Sequence, residues 1–549
     1  MVGYASLAVW GYVRYGVYDC GVMFVREKRV RNRDGSERRY LQLVENYRAE
    51  GKVRQRVVAN LGRLDRLRGA GELDRLVASL ARYAERTKVV DLAEELRSEW
   101  AREWGIPLVC ERLLGELGVE EALRRALAGR RVRAPLAAAV LALVCNRISE
   151  PASKLGCDRW LERAHHERFA GLELQHLYRA CDLLAELQGE LELALWDRRR
   201  TLLEQELELV FFDTTTTYFE GERLQGWARF GHSKDRGPDR LQLVVGILCT
   251  RSGIPIAHRV FPGNTSDVDA LLAAIGELKA RFQVKRVVVV ADRGTVGKRT
   301  LEALEQAGFD YILGARLRKL KAARAVLARA GRYRQVASNL RVKQVTHDGV
   351  RYIVCHNPEA AAEDARERAE IVAHLEQALS KGQAHLVGNR GYRRYLQVAP
   401  GALTIDRKKI ADDARYDGKW VLRTSTELPA DEVALAYKSL WQAERLFRTV
   451  KGPLSWRPVY LWTEKRVRGH LVACFLALVC EAELFHRLAA QDGERPSYPE
   501  VVSDLKALSA IDLTIAGQRY LVRTELRPHA HAAFRATGLR PPPRVQPLR

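Results

Sequence analysis

Long hydrophobic runs are missing from this chain. No stretch of about 18 or more uncharged apolar residues occurs in its sequence, which excludes a membrane-spanning helix. The longest apolar segment, Leu471–Cys480, is short and flanked by Arg468, His470 and Glu481, so it reads as a buried core helix. Met1–Val22 is apolar and aromatic but has neither a basic leader nor a small-residue cleavage site, and it is not read as a signal peptide. Methionine is scarce. Met1 and Met23 are the only two, and because a basic segment begins directly after the second, translation is expected to start at Met23, leaving 1–22 as an uncertain leader. The nine cysteines are dispersed, odd in number and without a CxxC pair. Cys145, Cys249, Cys474 and Cys480 lie in apolar runs, so reduced thiols of a cytoplasmic protein are expected rather than disulfides or zinc ligands. No internal repeat is visible. Negative charge is also in deficit: 68 acidic residues face 91 basic ones, a net +23. Self-repulsion of that size favours a polyanionic partner, nucleic acid ahead of an anionic membrane. At 549 residues the chain exceeds one compact core, so several domains are expected.

The expected class is multidomain α/β. Residues 23–72 form a basic β-rich region: turn signals at Asn32–Gly35 and Ala49–Gly51 separate three strands carrying Arg26, Lys28, Arg29, Arg31, Lys52 and Arg54. Such a sheet either contacts phosphates or is simply solvated. Leu, Ala, Arg and Glu at three- and four-residue spacing make 73–203 an all-α domain. Strands then return at 207–213, 241–250 and 254–261, followed by a helix at 267–281, a strand at 285–291, a helix at 297–307 and a strand at 309–314. Three consecutive strands, then helix, strand, helix and strand, is the order of an RNase H-like core. A right-handed crossover would lay the strand before Asp292 beside the strand holding Asp213. The core's first part is thus 204–314. A β-rich insertion follows at 315–430, the core resumes at 431–490, and 491–549 is a C-terminal region ending in a frayed tail around Pro541–Pro543.

Three carboxylates carry the chemistry. Asp213 closes the apolar run Leu207–Phe212 and precedes four threonines; Asp292 closes Val287–Ala291. Runs of this kind are strands buried on both faces, and open α/β sheets place their chemistry at the strands' carboxyl ends. Paired carboxylates supply hard oxygen ligands for magnesium, and a third acid from a helix would complete a two-metal phosphoryl-transfer site. Glu444 is the candidate. Tyr437, Glu444 and Lys451 recur every seven residues and Arg448 lies one turn from Glu444, so one helical face holds all four beside an apolar stripe of Leu440, Ala443, Phe447 and Val450. Glu427, Asp431 and Glu432 are rival acids, yet they read as a solvated helix start. Asn264 and Asp267 read as turn and cap residues.

These segments resemble the DDE transposases of bacterial insertion sequences, in the group with an RNase H-like core interrupted by a β-rich insertion. The resemblance covers most of the chain. Its motifs here are Phe212–Thr215, Gly231–Asp235 with Pro238 and Asp239, Pro262–Asp267, Ala291–Gly294 and Asp417–Trp420, together with the Tyr437, Glu444 and Lys451 helix signature. One position departs: Leu440 stands where the family pattern has Arg, which leaves a phosphate contact to Lys438, Arg445 or Arg448. The resemblance implies an enzyme that binds the terminal inverted repeats of its mobile element, cleaves the strands and transfers them. Asp213, Asp292 and Glu444 would hold two Mg2+ ions, with Mn2+ able to substitute. Tyr437, Arg448 and Lys451 would contact double-stranded DNA. His232 and Lys234 would touch phosphates or belong to a structural loop, and Trp420 would stack on an unpaired base or fill the core. The strands at 23–62 and the helical domain are expected to recognise the repeats. Joining two ends implies a homodimer in a synaptic complex, in the cytoplasm and at the nucleoid, with no membrane. The alternatives are a transposase-derived regulator without catalysis and an RNase H-like nuclease that cuts without joining.

Overall fold

A computed structural model describes residues 22–32, 34–49, 52–84, 96–130, 134–199, 208–219, 227–231, 240–282, 287–292, 297–315, 317, 321–380, 394–399, 402–493, 495–515 and 517–548. Apart from Val22, the expected leader lies outside them. The chain divides into two compact units between Arg97 and Ser98, with Thr514–Arg519 grouped with the first.

In the first unit, β1 (Met23–Arg31), β2 (Glu37–Ala49) and β3 (Lys52–Arg63) form an antiparallel sheet in the order β1-β2-β3. Alternate residues of β2 turn inward, so Val44 and Asn46 are buried while the flanking arginines stay in solvent. Helices α1 (Leu64–Gly69) and α2 (Glu72–Ala81) follow, and Leu64 and Leu67 of α1 are buried.

The second unit takes up the chain within β4 (Leu96–Glu103), and five helices follow: α3 (Gly105–Glu116), α4 (Val119–Ala128), α5 (Leu136–Ser149), α6 (Lys154–Leu161) and α7 (Leu174–Arg199). Next come β5 (Glu208–Tyr218), β6 (Gln242–Cys249), β7 (Pro255–Pro262), α8 (Asp267–Phe282), β8 (Val287–Ala291), α9 (Lys298–Gln306) and β9 (Asp310–Gly314). Continuing, α10 (Lys321–Ala328), β10 (Arg334–Ala337), β11 (Leu340–His347), β12 (Val350–His356), α11 (Pro358–Ser380), β13 (Leu396–Ala399), β14 (Ala402–Ile405), α12 (Arg407–Ala414) and β15 (Lys419–Thr424) lead to α13 (Ala430–Lys438), α14 (Trp441–Lys451) and α15 (Glu464–Asp492). The chain closes with α16 (Tyr498–Ala507), β16 (Ser509–Ile515), β17 (Gln518–Arg523), α17 (Pro528–Ala536) and β18 (Val545–Pro547).

A nine-stranded mixed sheet runs β10-β11-β12-β15-β9-β8-β5-β6-β7. β5, β6 and β7 are antiparallel neighbours, whereas β8 pairs parallel to β5 and β9 parallel to β8. Helices cover both faces, as a parallel centre requires. Phe211, Val288, Val290 and Ile312 join the larger core with α5, α7, α13, α14 and α15; Phe212, Val289, Ala291 and Leu313 face the smaller core with α8 and α9. Gly469 lets α15 cross α7 closely: a Cβ there would stand 1.7 Å from the Cys181 carbonyl oxygen. Among the described residues no helix is long and apolar enough to cross a membrane. The eight described cysteines are free and buried.

Several elements differ from expectation. The stretch expected as wholly helical contains β4, which joins a four-stranded sheet β18-β17-β16-β4. Its Leu, Arg, Glu and Ala favour helix in isolation, and strand pairing overrides that weak preference. Helices α3, α5 and α7 share the large core with the sheet and α15. Within the expected insertion, β15 pairs antiparallel with β9 and with β12, so these strands continue the main sheet. The tail expected to fray is ordered instead: Val545 and Pro547 sit opposite Val522 and Tyr520, and Leu548 packs against Trp104, Ala510 and Leu521. An edge strand tolerates proline's missing donor.

Candidate active site

The two strand acids stand level. The last paired residues of the parallel β5–β8 ladder are Phe211 and Val290, and each acid follows its partner by two positions, Asp213 after Phe211 and Asp292 after Val290. Side chains two apart share a face, so both carboxylates lie on the side of the sheet where Phe211 and Val290 meet the larger core. Asp213 is half-buried and accepts the Thr214 backbone N–H at 2.7 Å. Asp292 is exposed, and its Oδ1 accepts the Tyr437 hydroxyl at 2.7 Å. On the opposite face, the Thr214 hydroxyl donates to Asp267 at the start of α8. The cap of that helix is Ser266, whose Oγ accepts the Asp269 N–H at 3.1 Å.

Glu444 belongs to α14, which packs against β5 and β6 on the larger-core side, while α13 packs against β8 and β9. Ala443, Leu446, Phe447 and Val450 are buried, leaving Glu444 and Arg448 exposed. The Cys249 thiol is pushed up to about 12, chiefly by burial, with the Asp213 carboxylate adding to the rise and Arg445 opposing it. Burial holds Arg445 below the usual guanidinium range, with Arg495 adding to the depression and Glu481 offsetting it.

The single helix expected from Tyr437 to Lys451 is two helices, and this corrects the seven-residue face. The break falls at Ser439–Leu440, where Gln442 and Ala443 bond back to the carbonyls of Ser439 and Leu440 at three-residue spacing. The Ser439 hydroxyl also donates to the Leu435 carbonyl at 2.9 Å, a bond that bends helices. Tyr437 therefore approaches Asp292 from α13, and Glu444, Arg448 and Lys451 belong to α14. Leu440 is buried at the junction. Of the three basic substitutes, Lys438 is bonded to Asn339 at 3.2 Å and Arg445 is half-buried, whereas Arg448 faces solvent.

Among the described residues no three acidic, histidine or cysteine side chains stand close enough together to hold a metal ion. The donor set itself, hard carboxylate oxygens at level positions on neighbouring strands, suits a divalent cation. Of the rival acids, Asp431 pairs with Arg334 at 2.7 Å in the first turn of α13. Trp420 lies on β15, packed against the larger core with its Nε1 inaccessible to solvent. Its motif ties elements together: Asp417 is ion-paired with Arg368 of α11, and Gly418, at φ +57, approaches the Asn357 carbonyl so closely that a Cβ would stand 2.2 Å away. His232 and Lys234 lie outside the described residues.

The profile of the Transposase DDE domain matches residues 204–480, just over half of the chain. The chain belongs to the DDE transposases of insertion sequences. The N-terminal domain of the IS1634 family transposases matches residues 25–95 of this transposase. No curated protein matches it. Among solved structures, the piggyBac transposase synaptic complex with hairpin DNA, seen by cryo-EM, is 9% identical over 73% of this transposase and 79% of that chain, with a TM-score of 0.37.

The transposase also has a buried charged cluster that periodicity could not reveal. Glu192 on α7 accepts Arg259 at 2.9 Å and Arg281 at 3.0 Å, together with the His258 backbone N–H at 3.1 Å. Burial pushes the Glu192 carboxyl up, but His258 and Arg259 outweigh it and hold the group at about 2. The cluster joins α7 to β7 and α8 at the edge of the large sheet.

Proposed function

We propose that this DNA transposase binds the terminal inverted repeats of its own element, hydrolyses the strand at each end and joins the freed 3′-hydroxyls to target DNA, using Asp213, Asp292 and Glu444. The observation that carries this reading is the level register of Asp213 and Asp292 on adjacent parallel strands, with α14 packed over β5 and β6. An RNase H-like core is supported by the order β7-β6-β5-β8-β9, three antiparallel strands followed by two parallel to the first. Two Mg2+ ions, or Mn2+ in their place, would activate the attacking water or 3′-hydroxyl and stabilise the leaving oxygen.

The chain's own part is to hold oxygens and position DNA. Asp213 and Asp292 would present paired oxygens, and Glu444 would close the site from α14. The Tyr437 hydroxyl fixes one oxygen of Asp292 and so orients the carboxylate. Arg448 and Lys451 would hold the backbone alongside, with His232 and Lys234 contributing. The partly buried packing of Trp420 favours its core role over base stacking. The basic strands at 23–62 and the helical domain to about 203 would recognise the repeats, with 315–430 as the insertion between the two parts of the core. Two ends joined in one reaction call for a homodimer, acting in the cytoplasm at the nucleoid.

The test compares full-length Asp213→Asn, Asp292→Asn and Glu444→Gln with wild type on a labelled element end. Cleavage in Mg2+ should fall below detection while binding stays within about threefold, because an amide keeps the shape and loses the charge. Near-normal cutting by any variant removes that residue from the site.

A further inference from the structure

A cleft of about 670 Å³ opens between the start of α6, Tyr178 of α7, the 455–461 loop and His470 of α15. Its wall carries Arg147, Lys154 and Arg457, and none of its described lining residues is acidic. Arg147 and Lys154 are buried. The Arg147 guanidinium is held by carbonyl oxygens, those of Ala152 at 2.9 Å and Ser455 at 3.0 Å, and Lys154 Nζ meets His470 Nδ1 at 3.1 Å. These partners supply hydrogen bonds but no negative charge. His470 is itself buried and kept neutral, first by desolvation and then by the two neighbouring cations. Two cations enclosed without a carboxylate on the wall are costly to keep. An anion seated in the cleft would offset that cost.

The position of the cleft says which anion. Its 455–461 loop directly follows α14, the helix of Glu444, and Val459 bridges Phe219 just past the end of β5. β5 is the strand that holds Asp213. Tyr218 is five positions beyond Asp213, about 17 Å of extended chain at ~3.3 Å per residue. Along a duplex, one strand presents a phosphate every ~3.4 Å of axis, so that distance spans about five nucleotides. Leu155 and Tyr460 stand exposed at the rim, which leaves the mouth open.

We propose that this cleft seats a backbone phosphate of the DNA strand, about five nucleotides from the scissile position, on Arg147 and Lys154. The assignment rests on the DNA-cleaving function above. Full-length wild type, Lys154→Met and Leu155→Glu are compared by fluorescence anisotropy on a labelled element-end duplex across a salt series. Lys154→Met should bind at least threefold more weakly at 0.15 M salt and lose about 0.9 from the slope of log affinity against log salt. Leu155→Glu, a rim substitution that buries nothing, should weaken binding in the same direction and carries the test if Lys154→Met does not fold. Without DNA, Lys154→Met should melt at or above the wild-type temperature, since methionine removes an uncompensated charge.

Wild-type affinity and slope in the folded variants would overturn the proposal. So would a lower melting temperature in Lys154→Met with unchanged DNA binding, which would make the lysine structural. Inorganic phosphate and a deoxynucleoside monophosphate form the control arm. If they raise the melting temperature of wild type but not of Lys154→Met while DNA affinity is equal in both, the seat takes a small free phosphate and not the strand. Wild type cutting the element end while the variants bind normally sinks this inference alone; wild type failing to cut sinks the functional reading beneath it.

Discussion

Replacing Tyr437 by phenylalanine removes one hydroxyl and nothing else, and that hydroxyl donates to Asp292 Oδ1 at 2.7 Å. A hydrogen bond to a charged group contributes about 1.5–3 kcal/mol net when sheltered. Here the carboxylate is exposed and the tyrosine half-buried, so the lower limit applies, about 1.5 kcal/mol or a little over tenfold. The bond orients Asp292 from the end of α13, the helix packed over β8 and β9, and a carboxylate that loses it must be ordered again before it can bind a cation. In a Mg2+ titration of cleavage on a labelled element end, the midpoint for Tyr437→Phe should therefore rise about tenfold, the range expected for a residue that orients a ligand. The rate at saturating Mg2+ should stay within about threefold, and the melting temperature should barely move. A midpoint unchanged or lowered would refute the reasoning: the hydroxyl would then be idle, or would occupy the oxygen that the cation needs.

Three further outcomes follow from particular residues. Lys451→Ala should reduce strand transfer more than stability, since exposed or half-exposed lysines at a helix end contribute little to folding; a collapsed melting temperature with normal transfer by the folded fraction would make it structural. Acid should unfold the second unit in part through Glu192. Its carboxyl is held at about 2 against an ordinary 4.5, so its contribution of about 3 kcal/mol is complete above pH 4.5 and is lost as pH falls towards 2. Glu192→Gln should flatten that limb of the stability–pH curve measured by denaturant unfolding, and an unchanged limb would show that the cluster is not coupled to folding. Finally, changing exposed Lys28, Arg31 and Lys52 to alanine should lower the salt slope of element-end binding by about 2.7, at ~0.9 for each phosphate no longer neutralised. An unchanged slope would move recognition away from β1–β3.

The sequence by itself determined the local pieces. Apolar runs ending in Asp213 and Asp292 announce two buried strands with acids at their ends, because a strand covered on both faces must be apolar throughout. The turn at Asn32–Gly35 announces a hairpin, and Leu471–Cys480 announces a core helix. Identity was legible for the same reason: the motif residues are contiguous or regularly spaced, so they can be read without coordinates. What periodicity cannot carry is the outcome of competition between distant parts. The seven-residue spacing of Tyr437, Glu444 and Lys451 fits one helix, yet the break at Ser439–Leu440 hands Tyr437 to Asp292 from a separate helix. Residues 96–103 favour helix locally and become a strand because C-terminal strands pair with them. The Arg147, Lys154 and His470 cleft brings together residues more than three hundred positions apart, one from each of three helices. Local patterns record which face of an element must be buried; which partner buries it, and which charges are enclosed in the process, is settled only when the whole chain packs.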